Sequence, residues 1–116
     1  ILLEIELKEG GPHLEKVYNK AIRDKIPGVI EAAGKKHVTI RLSDEQFLSE
    51  LEIKLSEEVS EYQESKDIEE LADILEVLLR IVELKGSSVD AVESIRKKKL
   101  VERGGFKENL FLVKTY

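Results

Sequence analysis

From Leu71 to Val82 the chain reads LADILEVLLRIV, and on a helical wheel its apolar residues cover well over half the circumference. A helix lying on the surface of a globular protein needs an apolar stripe only about 100° wide. This segment must therefore be covered on more than one side. Three long helices are legible in the sequence, too few to enclose it within one chain, so a second copy is expected. The expected fold is mainly all-α: an antiparallel helical bundle assembled as a homodimer or homotetramer.

The other elements follow from local signals. Ser43 with Gln46 three residues later has the capping-box pattern and opens a helix to about Glu64. The helix containing Leu71 begins after Ser65-Lys66-Asp67 and ends at Gly86. A third is capped by Ser87 or Ser88 and runs through IRKKKLVER to Gly104-Gly105. A shorter helix is expected near Arg23 to Ala33, with Pro27 in its first turn and Gly34 closing it. ILLEIEL at the start, HVTIRL from His37 and LFLVKTY at the end are candidate strands, enough for a small β element from the termini. Residues 1–116 read as a single domain.

Composition excludes several classes. Hydrophobic residues at 41% with charged residues at 37% fit a folded, soluble chain and not a disordered one. No run reaches the roughly 20 apolar residues that span a bilayer, and ILLEIEL, with two glutamates in seven residues, does not read as a signal peptide. With no cysteine there is no disulfide, thiolate ligand or Cys nucleophile, which fits a cytoplasmic location. The net charge of −5 argues against binding polymeric nucleic acid, yet it hides an asymmetry. Asp44 to Glu76 holds thirteen acids and two lysines, whereas Arg96 to Arg103 holds five basic residues and one acid. Either the molecule has two faces or one site handles cations and anions together.

Some of those acids lie where water is not expected. Glu58 falls inside the stripe of Leu51, Leu55 and Tyr62, and Glu61 sits at its edge one turn on. On the next helix Glu70 falls among Ile74, Val77 and Ile81, with Asp73 one turn later. Counted from Lys66, Glu61 and Glu70 are five and four residues from the reversal, and Glu58 and Asp73 are eight and seven. At about 1.5 Å per residue the two pairs stand level on antiparallel helices. Four converging carboxylates would repel one another and need a compensating cation. An oxygen-only set suits a hard divalent ion such as Mg2+ or Mn2+.

Blander readings compete. Asp67 with Glu70 also fits a capping box, which would leave Glu70 structural. Glu57, Glu64 and Glu69 read as solvated-face residues. His13 and His37 lie outside the long helices, so the Glu-x-x-His pattern of di-iron bundles is missing and both read as surface or turn residues. Lys99 and Arg103, four apart near a helix end, either favour the helix dipole or hold phosphate oxygens beside Gly104-Gly105. Lys20, Arg23 and Lys25 in YNKAIRDKIP offer the same chemistry.

EEVSE (Glu57 to Glu61) followed by EELAD (Glu69 to Asp73) resembles the EExxE…ExxD signature of the MazG-type all-α NTP pyrophosphatases. RKKKLVERGGF is similar to the Lys-x-x-x-Arg-Gly-Gly-Phe end of the phosphoribosyl-ATP enzymes. YNKAIRDKIPGVIEAAGKK looks like the opening of a branch described as house-cleaning pyrophosphatases. The match covers about Tyr18 to Leu112, and the gap between its acidic motifs is short for the superfamily. The resemblance implies a MazG-like bundle that hydrolyses a nucleoside triphosphate, of a non-standard kind, between its α and β phosphates with Mg2+. It implies Glu58, Glu61, Glu70 and Asp73 as metal ligands and Glu57 as the group that orients or activates water. Lys99 and Arg103 would hold the anionic leaving portion. Two alternatives stand beside this expectation: a phosphoribosyl-ATP pyrophosphohydrolase of histidine biosynthesis, and a non-catalytic helical oligomer that binds a nucleotide or a protein.

Overall fold

The computed structural model describes residues 15–116, and its regular structure is four α-helices. They are α1 (Ile26–Ala32), α2 (Asp44–Ser65), α3 (Ile68–Leu84) and α4 (Val89–Arg103). Pro27 in the first turn of α1 supplies a fixed φ where no hydrogen-bond donor is needed. Gly34 follows that helix at φ +78°, a conformation glycine adopts without strain. His37 lies just beyond, its ring nitrogens 2.8 Å from Thr39 Oγ1 and 3.0 Å from Glu31 Oε1.

α2 begins with the full capping box. The Gln46 amide donates to Ser43 Oγ at 3.2 Å, and the Ser43 amide donates to Gln46 Oε1 at 3.2 Å. Asp44 and Glu45 add negative charge at the dipole's positive end. The helix stops at Lys66, whose φ of 62° is left-handed, and Ser65 Oγ accepts the Asp67 amide at 3.1 Å. The chain then folds back at once into α3. α4 is capped by Ser88, whose side chain accepts the Ala91 amide.

The core lies between α2 and α3. Leu51 and Val77 are buried together with Ala21, which reaches them from the segment before α1. Phe47, Leu55, Ile81 and Leu84 pack round them. α4 meets only α3 among the described helices and buries none of its residues. The molecule is accordingly long, 64 × 31 × 25 Å, with a radius of gyration of 18.7 Å. A compact chain of about this length would measure about 13 Å.

Two expectations change. HVTIRL and LFLVKTY form no strand, and no strand occurs among the described residues. Both are rich in β-type residues, but a strand exists only against a neighbour that takes its backbone donors and acceptors, and neither segment has one. The ILLEIEL strand and His13 lie outside the described residues. No described helix is long and apolar enough to cross a membrane.

The reciprocal cap of α2 is a measurable contribution. We expect Ser43→Ala to reduce stability by about 1 kcal/mol in thermal or urea melts, since it leaves the Gln46 amide without its partner.

Candidate metal centre

The seam between α2 and α3 changes character along its length. At the end far from the turn it is apolar, with Phe47, Leu51 and Leu55 facing Val77, Ile81 and Leu84. The same helical spacing carried toward the turn brings Lys54, Glu58 and Glu61 on α2, and Asp73 and Glu70 on α3. The face that builds the core therefore also delivers the acids.

Glu58 is 1% exposed and is the most deeply buried large side chain described. Carboxylate oxygens of Glu58, Glu70 and Asp73 lie within 4.8 Å of one another. Glu61 faces Glu58 closely enough that a proton held between them would make a hydrogen bond. Burial above all, then the Glu61 charge, pushes the Glu58 carboxyl up to about 7, with Asp73 adding to the rise. Lys54 opposes it from 3.7 Å, and this lysine is itself only 7% exposed.

One lysine does not satisfy this cluster. Oε2 of Glu58 and Oε2 of Glu70 are buried with no donor to accept from. Leaving a buried charged acceptor without a donor costs more than leaving a neutral one. A small divalent cation fits the deficit. Two oxygens bound to one such ion at about 2.1 Å stand roughly 3.0–4.2 Å apart, so the triad needs only small side-chain adjustments to enclose it. With oxygen donors alone and no Cys or His in the set, the chemistry is that of a hard cation. The three acidic residues could hold a metal ion.

The capping reading of Glu70 does not hold. Asp67 is the N-cap of α3 by position, but its side chain caps nothing. The Glu70 carboxylate is instead one of the three that close on one another.

Cations reach the cluster from one side. The segment before α1 lies across the helix pair, pinned by buried Ala21. Lys20 pairs with Glu57 at 3.3 Å, and Arg23 pairs with Asp73 at 2.8 Å. Glu57 thus stands at the rim of the cluster, held by Lys20, outside the triad. Lys99 and Arg103 are not brought there. Both are exposed on α4, which packs on α3 and not on α2, and neither pairs with the cluster. Lys54 is the residue that the acid pattern alone does not bring out. Its position four before Glu58, on the same stripe, is the signal that marks it.

The buried acid makes stability depend on pH. In the metal-free protein the folded-state value for Glu58 is about 7 against an ordinary 4.5, so the folded chain holds that proton more tightly than the unfolded chain. The associated stability is complete below the unfolded value and is lost as pH rises through the folded one. The difference is about 3 kcal/mol. In EDTA we expect the melting temperature to fall between about pH 5 and about pH 8, and Glu58→Gln to remove most of that fall.

Compared with family models, curated proteins and solved structures, the chain has no match in any of the three. What the centre does is therefore read from its own atoms.

Proposed function

We propose that the protein is a metal-dependent nucleotide pyrophosphohydrolase of the MazG-type all-α kind. It cleaves a non-standard nucleoside triphosphate between the α and β phosphates, with Mg2+ or Mn2+ as cofactor. The observation that carries the reading is the pair of buried, donor-less oxygens on Glu58 and Glu70, facing Asp73 in one oxygen-only pocket.

Glu58, Glu70 and Asp73 hold the ion, and Glu61 completes the oxygen set from one turn away. When bound, the ion neutralises charge developing on the phosphoryl oxygens and favours deprotonation of water. The chain's residues do the rest. Glu57, kept at the rim by Lys20, accepts the proton as a water oxygen bonds to the α-phosphorus. The bridging P–O bond breaks, and its electron pair leaves with pyrophosphate. Lys20 and Arg23, on the pinned segment, supply the positive wall against which the triphosphate lies. The same role for Lys99 and Arg103 would require their delivery by another copy of the chain.

A second copy is the natural cover for the exposed apolar faces. Leu75 on α3 and Ile95 on α4 are each 56% exposed, and Leu71, Leu78 and Val92 are open beside them. A 15-residue helix with no buried side chain gains little from packing on its own chain. Exposed apolar residues clustered in this way suit burial against a like surface in a closed, symmetric homo-oligomer.

Two outcomes are expected. Glu61→Ala and Asp73→Ala should each abolish Mg2+-dependent pyrophosphate release from nucleoside triphosphates while leaving the far-ultraviolet dichroism helical. Full release by either variant would remove the mechanism. Sedimentation equilibrium should give two or four times the chain mass, and Leu75→Glu with Ile95→Glu should return the monomer.

A further inference from the structure

Three cations touch the acid cluster, and they are not equivalent. The Lys54 side chain is buried in the seam and has nowhere to go. Lys20 pairs with Glu57, which is not one of the three acids that close on a common point. Lys54 and Arg23 each pair with a member of that triad, Lys54 with Glu58 from inside the seam and Arg23 with Asp73 from outside it, donating from Nη2 to Asp73 Oδ1 at 2.8 Å. The Arg23 side chain is 54% exposed, so it has room to leave.

We propose that Arg23 is an exchangeable counter-ion that couples cation binding to anion binding at this centre. With no cation bound, its guanidinium neutralises Asp73. When a divalent cation takes the Asp73 carboxylate, Arg23 is released and turns its planar fork to the phosphate oxygens of the substrate. The inference rests on the metal-centre reading above.

The physical case has three parts. An ion pair as open as Arg23–Asp73 is weak, so a divalent ion held by three carboxylates displaces it easily. The backbone does not move with the side chain, because Ala21 two residues earlier stays locked against Leu51 and Val77. The freed guanidinium therefore remains within a side chain's length of the site. Its fork matches phosphate geometry in a way the lysine point charges do not. Coupling of this kind is reciprocal: whatever draws Arg23 toward an anion also vacates Asp73 for the cation.

The test is calorimetric titration of Mn2+ into the full chain, comparing wild type with Arg23→Gln and Lys20→Gln. Each variant removes one positive charge beside the cluster, but only Arg23→Gln removes the competitor for Asp73. We expect Arg23→Gln to bind Mn2+ about twofold to fivefold tighter than wild type, the factor an exposed ion pair can withhold. Lys20→Gln should change it by less than about twofold. With inorganic pyrophosphate as the anion probe, Mg2+ should strengthen binding to wild type, and Arg23→Gln should lose a substantial part of that gain. Equal tightening by the two variants, or weaker Mn2+ binding by Arg23→Gln, would overturn the exchange and leave the metal centre standing. Absence of Mn2+ binding in both wild type and Arg23→Gln would overturn the centre and the exchange together.

Discussion

The structure turns on a carboxylate placed where a leucine would serve better for packing. Glu58 occupies a core position of the α2/α3 seam, shut away from water, with a single lysine at 3.7 Å as its charged support. Burying an acid beside other acids raises its affinity for a proton, and here it carries Glu58 to about 7. A chain selected only to fold would have no use for that arrangement. A cation held between these acids would draw its binding energy from the same electrostatic cost that burying them together imposes.

The helix pair solves the geometric part by continuity. A stripe at three- and four-residue spacing runs along each helix, and only its residue types change, from apolar near Phe47 and Leu84 to acidic near the turn. The apolar half sets the spacing of the helices, and that spacing fixes how closely Glu58, Glu70 and Asp73 approach. The segment before α1 then adds cations without adding an element: one small buried residue, Ala21, anchors it, and the neighbours on either side reach Glu57 and Asp73. In the proposed enzyme, one short strap and one helical hairpin account for both the metal pocket and the positive wall beside it.

Much of this was legible because it is local. The capping box of α2, the break at Lys66 and the placing of Glu58 inside an apolar stripe are all consequences of spacing within a helix or a single turn. The approach of Glu58 to Asp73 follows from a short turn and a constant rise. What spacing could not give is non-local. HVTIRL and LFLVKTY have the side chains of strands, but whether a strand forms depends on a partner the segment itself does not encode. Asp67 has the right type and position for a capping box, yet Glu70 turns to the other acids and the cap is not made. Lys20 and Arg23 carry no periodicity, so their arrival at the acids depends on where Ala21 finds a hole in the core. Lys54 shares the stripe with Glu58, but its burial depends on the neighbours that close over it, which its own position does not encode.

The central claim is that the turn-proximal end of this seam holds a divalent cation between Glu58, Glu70 and Asp73. Diffraction from crystals soaked in Mn2+, with data collected for the anomalous signal of manganese, locates the ion directly. The account requires an anomalous peak within coordinating distance of all three carboxylates. Manganese bound only at surface acids, with the space between those three side chains empty, would contradict it.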